Sequence, residues 1–339
     1  MFLATTVPTV DLAGSGTLFK RLEEIGYDSA FSFESSHDPF LPLALASQAT
    51  STVGLGTAVA IGFARNPMVL ANVAYDLQVL SQGRFTLGIG SQVRPHIENR
   101  FSEEWSHPAA RMREMVLAIR SIWARWEGLA DLRFEGTFYR HTLMTPAFDP
   151  GPNPFGPPPI FIGGFGPLMI EVAGEVADGL IVHPFTTRRS LQEIVVPSLE
   201  RGRAKAGRSV EDVTILWVTM VVTWASDEEQ ERAIQSAKEQ LSFYGSTPAY
   251  ASVLDLHGYG DLHGELNQLS KKGRWSEMAS IFPDELVEEI AVVGPRGEIP
   301  TKLVARVEGI TSHVSLVNNR NPDPDHFSDI VAGIREQTK

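Results

Sequence analysis

The sequence predicts an α/β fold, a closed (β/α)8 TIM barrel interrupted once by an insertion near residues 246–283. Three observations carry this. Short apolar runs alternate with amphipathic segments, the pattern of parallel strands joined by helices. Eight strand-like runs occur in 339 residues, enough for one closed barrel with room for an excursion. Over residues 246–283 the alternation is lost: Gly and His are frequent there and helical periodicity is weak, so short helices are expected. A doubly wound open sheet is the rival. It is disfavoured because no Gly-x-Gly-x-x-Gly follows the first strand. All 339 residues are expected to form one barrel domain.

In chain order, residues 2–6 form the first strand and 15–25 a helix, closed by Gly26 in the position after a helix end that favours glycine. Strands follow at 29–33 and 53–61. Asn66 and Pro67 then open a helix, Asn as its cap and Pro at its first position, running to Ser81-Gln82-Gly83. Residues 84–89 are the fourth strand. In the long helix 108–126, Met112, Met115, Val116, Ile119, Ile122, Trp123 and Trp126 recur at helical spacing and predict one buried face. Residues 134–139 belong to a small hairpin, and the Pro- and Gly-dense stretch 149–159 is a loop. Strands at 159–162, 179–182 and 213–223 alternate with helices at 168–176 and 190–206. Ser226-x-x-Glu229 has the form of a capping box for a further helix. Residues 312–317 are the eighth strand and 324–336 the last helix.

Composition narrows the function. Cysteine is absent, which excludes disulfides, thiolate zinc sites, iron–sulfur clusters and a cysteine nucleophile. A net charge of −12 without a Lys/Arg cluster argues against a nucleic-acid partner. Apolar runs fall well short of the ~20 residues of a membrane span, and the first residues lack the basic start of a secretory signal, so a cytoplasmic protein away from the membrane is expected.

In such a barrel the chemistry sits at the carboxyl ends of the strands. After the second strand, Glu34 and His37 suit a general acid/base pair, although Ser35, Ser36, Asp38 and Pro39 equally make a turn. The small residues from Gly54 to Gly62 either admit a flat ligand or serve tight strand packing. Gly88-Ile89-Gly90-Ser91-Gln92 offers backbone donors to a phosphate or ring, on a weak signal. Gly163-Gly164-Phe165-Gly166 feeds a helix start, either an anion site or a tight turn. His183, after the sixth strand, is a further candidate. Asp255, His257, Asp261 and His263 match no metal-site spacing, and Gly258 and Gly260 suggest a mobile loop, so no metal is expected.

These clusters together resemble the luciferase-like flavin and deazaflavin oxidoreductases. The carrying residues are Gly26-Tyr27-Asp28, Leu55-Gly56-Thr57-Ala58-Val59, Arg65-Asn66-Pro67, the run from Leu80 to Ser91, Pro159-Ile160-Phe161-Ile162-Gly163-Gly164, and Ala173-Gly174-Glu175-Val176-Ala177-Asp178-Gly179. The segment 33–45 and Arg94-Pro95-His96-Ile97-Glu98 resemble the branch that uses the deazaflavin coenzyme F420. The resemblance implies hydride transfer between F420 and an organic small molecule, and a homodimer. It implies a non-prolyl cis peptide at Ala58–Val59 and places Glu34 beside the cofactor ring. His37 and His183 are the catalytic candidates with it. The cofactor is expected against Ala58, Val59, Ile61, Ser91, Gln92, Gly163, Gly164, Phe165, Gly166, Leu168 and Met169.

Departures from the family pattern matter too. Ser35 and Val93 stand where the sugar-phosphate dehydrogenases of this branch place a histidine and a glutamate, and Thr186 where they place a phosphate-binding lysine, which disfavours a sugar phosphate. Arg65, Arg188 and Arg189 are expected to offer positive charge to the oligoglutamate tail of F420. Two other functions share the resemblance: an FMN-dependent monooxygenase using oxygen, and a flavin-binding barrel without catalysis.

Overall fold

The computed structural model describes residues 1–8, 11–317 and 323–338. Its strands are β1 (Phe2–Pro8), β2 (Ser29–Phe33), β3 (Gly54–Thr57), β4 (Phe85–Gly90), β5 (Ile160–Gly164), β6 (Gly179–Val182), β7 (Thr214–Trp224) and β8 (His313–Val317). The hydrogen-bonded order is β7–β8–β1–β2–β3–β4–β5–β6, and β6 pairs again with β7. The order closes on itself, which is the predicted (β/α)8 barrel. The pairs β1–β2, β2–β3, β3–β4 and β4–β5 are parallel, with Ala4 opposite Ser29, Ser29 opposite Gly54, Leu55 opposite Phe85 and Leu87 opposite Ile160.

The described residues form two compact units. The first comprises Ala4–Ile181 and Ser198–Ile215. Its core gathers the apolar strand residues and the helix faces packed on them. The helix Pro108–Trp126 buries all seven residues that its periodicity marks, and Trp123 Nε1 donates to Ala71 O at 3.1 Å. Asn66 caps the helix Pro67–Leu80 by accepting from Met68 N at 2.8 Å. Gly26 takes φ 100° and closes the helix Ser15–Ile25. Near the end of that helix, Glu23 accepts from the backbone N–H groups of Ser51, Thr52 and Val53. Burial alone raises its pKa, but these donors outweigh burial and hold it at about 2.

The second unit comprises Met1–Leu3, Val182–Pro197 and Leu216–Lys339. It carries the helix Asp227–Gly245 and then the excursion, built as expected from short helices: Ala251–Leu256, Gly260–Lys271 and Trp275–Ser280. Val253, Leu254, Leu266 and Met278 of these helices are buried, as is Leu241 in the helix before them.

The structure departs from the sequence reading in several places. The run 53–61 is two pieces, β3 and a short strand Ala60–Ile61 paired with β4. Ser226 makes no side-chain cap, and Glu229 accepts from Ala225 N at 2.8 Å rather than from Ser226 N, so the predicted box does not form. The helix expected from residue 190 begins at Arg188 and passes through a π-helical turn at Leu191–Val195. Further elements lie outside the sequence reading, among them the helices Leu41–Ala49, Arg94–Asn99, Asp284–Ile290 and Ile299–Val307, and the strand Val292–Pro295, which pairs with the end of β7. Leu41–Ala49 is apolar nearly all round and gives no periodic signal. Ile299–Val307 does carry one, with Ile299, Leu303 and Val307 four residues apart and buried.

Candidate active site

At the ends of β2 and β3, backbone and side chains of the first unit interlock. After Thr57 the Ala58–Val59 peptide is cis, as the resemblance implied. Ala58 N donates to Ser32 O at 2.7 Å, and Glu34 N donates to Val59 O at 3.1 Å. Glu34 returns the contact through its side chain: Oε2 accepts from Ile61 N at 2.7 Å. Arg65, reached through the 3₁₀ turn Gly62–Ala64, completes the arrangement. Its Nη1 donates to Glu34 Oε2 at 2.6 Å and to Ile61 O at 3.2 Å, and its Nη2 donates to Asp38 Oδ2 at 3.0 Å. The guanidinium lies 5.5 Å from the centre of the Phe40 ring. The Glu34 side chain is 6% exposed and that of Arg65 16%, so this ion pair is largely out of water. The intervening loop is fastened again where Arg100 Nη2 donates to Ser35 O at 2.7 Å. His37 sits in that loop with its side chain exposed.

The glycines at the ends of β4 and β5 face the same segment. Gly90 and Gly163 are opposite one another in register. A Cβ on Gly90 would lie 2.8 Å from Val59 Cγ2, and one on Gly163 would lie 2.7 Å from Val59 Cγ1. The two methyls of Val59 therefore occupy the space that side chains at these positions would take. Gly88 is tighter still: a Cβ there would lie 1.8 Å from Thr57 O, while Thr57 Oγ1 accepts from Gly88 N at 3.0 Å and donates to Gly88 O at 2.6 Å. Gly164 makes room for Met169, whose Cγ would be 2.9 Å from an added Cβ. Gly166 differs. Nothing lies within 4 Å of its missing Cβ, and it heads the helix Pro167–Val176 without any side-chain cap. Beyond it Leu168 is exposed and Met169 buried. Phe165 is half-buried, as are Ser91 and Gln92. Gln92 holds a left-handed φ of 61°, with its Oε1 accepting from Val93 N at 3.0 Å.

His183 belongs to the second unit and has a different setting. Its ring stacks on Tyr250 at 4.4 Å and 24°, and meets the Tyr244 ring edge-on at 4.8 Å. Its Nδ1 accepts from Phe185 N at 3.1 Å, which leaves the proton of the neutral ring on Nε2. Loss of hydration among these rings pushes its pKa down to about 3. At neutral pH His183 is a neutral imidazole and cannot act as a cationic acid. Nearby Thr186 is buried, and Thr187 Oγ1 lies 2.9 Å from His257 Nε2.

The three arginines expected near the cofactor tail are all engaged. Arg65 bridges the two carboxylates already described. Arg188 donates to Ala305 O, Arg306 O and Glu308 O at the end of the helix Ile299–Val307, and Arg189 pairs with Glu193 at 2.8 Å and donates to Leu256 O. Among the described residues no group of three or more His, Asp and Glu side chains converges as a metal site, and no helix is long and apolar enough to cross a membrane. His257 and His263 bond instead to Thr187 Oγ1 and Gly245 O. Sequence reasoning missed the pairing of Arg65 with Glu34 and the rings around His183. The first joins residues 31 apart and the second residues 61 to 67 apart, and no local pattern signals either.

Known proteins place the chain. It is 50% identical over 303 residues to an uncharacterised protein of Mycobacterium tuberculosis (strain ATCC 25618 / H37Rv), covering 89% of each chain. It is 30% identical over 315 residues, 88% of each chain, to a putative coenzyme F420-dependent oxidoreductase of the same organism. Among solved structures it matches the coenzyme F420-dependent tetrahydromethanopterin reductase of Methanopyrus kandleri with a TM-score of 0.80 at 20% identity, covering 99% of both chains. Residues 3–313 match the luciferase-like monooxygenase family, and the chain belongs to that family of oxidoreductases.

Proposed function

We propose that this protein is a coenzyme F420-dependent oxidoreductase that moves a hydride between the deazaflavin and a small organic substrate. The observation that carries this reading is the apolar floor made by the Val59 side chain packed over Gly90 and Gly163, together with the uncapped helix start at Gly166. A flat ring needs an apolar support with nothing rising through it. A cofactor phosphate needs free N–H groups and a positive helix end. The residues present fit both needs. Ala58, Val59 and Ile61 would back the ring. Ser91 and Gln92 would meet it from β4, and Gly163, Gly164, Phe165, Gly166, Leu168 and Met169 would hold the phosphate side. When bound, the cofactor supplies two-electron hydride chemistry.

The chain's own residues then take distinct parts. Glu34, bound to a guanidinium and a backbone N–H, is a fixed anion. His37, exposed in a fastened loop, is the group that exchanges a proton with solvent and substrate. His183, neutral and wedged among aromatic rings, orients rather than ionises. Thr186, buried where a phosphate-binding lysine would stand, argues for a substrate without a sugar phosphate. We further propose a cytoplasmic homodimer. Leu41, Leu45, Val69, Val79 and Leu80 are exposed on the helices Leu41–Ala49 and Pro67–Leu80, an apolar surface suited to a second copy.

The second reading is an FMN-dependent monooxygenase, supported by the family description. The floor and the helix start suit both cofactors, so affinity decides. In a fluorescence titration F420 should bind at least about tenfold more tightly than FMN, about 1.4 kcal/mol. Equal or reversed affinities, with oxygen consumed in the presence of reduced FMN and substrate, would favour the monooxygenase.

A further inference from the structure

We infer that Arg65 is a positioning residue, a clip that joins the ring-supporting segment 58–61 to the loop that carries His37. The inference rests on the reading of that segment as the cofactor support. One guanidinium reaches three acceptors on two segments: Glu34 Oε2 and Asp38 Oδ2 on the loop after β2, and Ile61 O on the segment after β3. Glu34 ties the same two segments a second time, donating from its N–H to Val59 O and accepting at Oε2 from Ile61 N. The loop thus has Glu34 and Asp38 fixed by one cation, with His37 between them.

A planar fork suits this task because it holds several acceptors in set directions, where an ammonium offers a point charge. The charge count has a consequence. One guanidinium serves two carboxylates, so the cation at this position is already spent and is not the one that would hold an anionic tail. The pair is also mostly out of water, so removing the cation would leave a nearly buried carboxylate with one backbone donor. Glu34 would then turn or draw in water, and the Ile61 N–H would lose its partner.

Two readouts in the purified full-length protein test the clip. The first needs no cofactor: amide hydrogen exchange followed by NMR. In Arg65→Ala, exchange at Ile61 and Glu34 should accelerate at least about tenfold, while Leu87 in β4 keeps its protection and shows that the fold is intact. The second is the affinity for F420 and FMN, which should weaken by at least about tenfold in Arg65→Ala and recover in part in Arg65→Lys. Wild-type exchange at Ile61 and Glu34 in Arg65→Ala would overturn the clip. If that variant does not fold, Arg65→Lys answers the same question, with faster exchange at Ile61 expected and unchanged exchange overturning it. Failure of the wild-type protein to bind either cofactor would overturn the proposed function, and the exchange rates would still decide the clip.

Discussion

The neighbourhoods of Glu34 and His183 hold an ionisable side chain still by opposite means. Around Glu34 the partners are charged or strongly polar: Arg65, the Ile61 N–H and, through Arg65, Asp38. Around His183 they include the rings of Tyr244 and Tyr250 and the backbone N–H of Phe185. The first arrangement keeps a charge and directs it. The second removes water and keeps the imidazole neutral. A charged lock depends on every partner, because a lone buried charge is costly. An aromatic lock depends on packing and loosens gradually.

The first region should be the less tolerant of added atoms, and Gly88→Ala is the sharpest way to break the comparison. The new methyl would lie 1.8 Å from Thr57 O and 2.9 Å from Ile181 Cδ1, so backbone must move. We expect a loss of about 3 kcal/mol or failure to fold, measured by chemical denaturation. A loss below about 0.5 kcal/mol would show that the strand ends are looser than described.

The aromatic region should yield by less. Tyr250→Ala removes the ring stacked on His183 and should cost about 2 kcal/mol, less than a fully buried aromatic because Tyr250 keeps some exposure. Water would then reach the imidazole, and its NMR titration midpoint should climb from about 3 toward 6.5. An unmoved midpoint would mean that Tyr244 and Phe185 suffice.

The same group sets an acid-sensitive component of stability. The folded pKa of His183 lies below its unfolded value of 6.5, so between these values the unfolded chain binds the extra proton. Its contribution is complete above pH 6.5 and is lost as pH falls from 6.5 toward 3. The slope should be on the order of 1 kcal/mol per pH unit. In His183→Asn, whose side-chain oxygen can accept from Phe185 N, denaturation midpoints across that range should flatten. A remaining acid limb is expected lower down, from pH 4.5 toward 2, where Glu23 protonates in the unfolded chain and gives up its three backbone donors. Asn66→Ala should have the smallest effect, about 0.5–1 kcal/mol and independent of pH, since it removes one exposed cap beside Arg65. A pH-dependent loss in that variant would mean that the cap also supports the ion pair.

Much of the barrel was legible because its signals are local. Alternating apolar runs locate β1 to β8, Asn66-Pro67 and Gly26 locate helix boundaries, and the spacing in residues 112–126 locates a buried face. Between residues 284 and 307 the elements are short and follow an irregular segment, and the spacing of Ile299, Leu303 and Val307 is a periodic signal among them. The helix Leu41–Ala49 was hidden for a physical reason: a segment apolar on every side has no period. At the site, strand position marked Glu34 and the glycine clusters, and the family resemblance supplied the cis peptide and the place of Glu34 beside a cofactor ring. The glycines alone left both ligand contact and tight packing open. The structure answers differently for each: Gly88, Gly90, Gly163 and Gly164 are filled by neighbours, and Gly166 is open.

What the sequence determined by itself is what short-range chemistry determines: strand and helix positions, most caps, the absence of cysteine chemistry, and the family. What only the tertiary structure decided is which side chains meet. Arg65 was free in the sequence to face solvent or a cofactor tail, and the fold turns it onto Glu34 and Asp38, 31 and 27 positions away. His183 was free to ionise, and the fold packs Tyr244 and Tyr250 against it from a distant helix and turn. Both outcomes depend on contacts between residues far apart in the chain. A charge state follows from the water and partners around a group, and those are set by the fold as a whole.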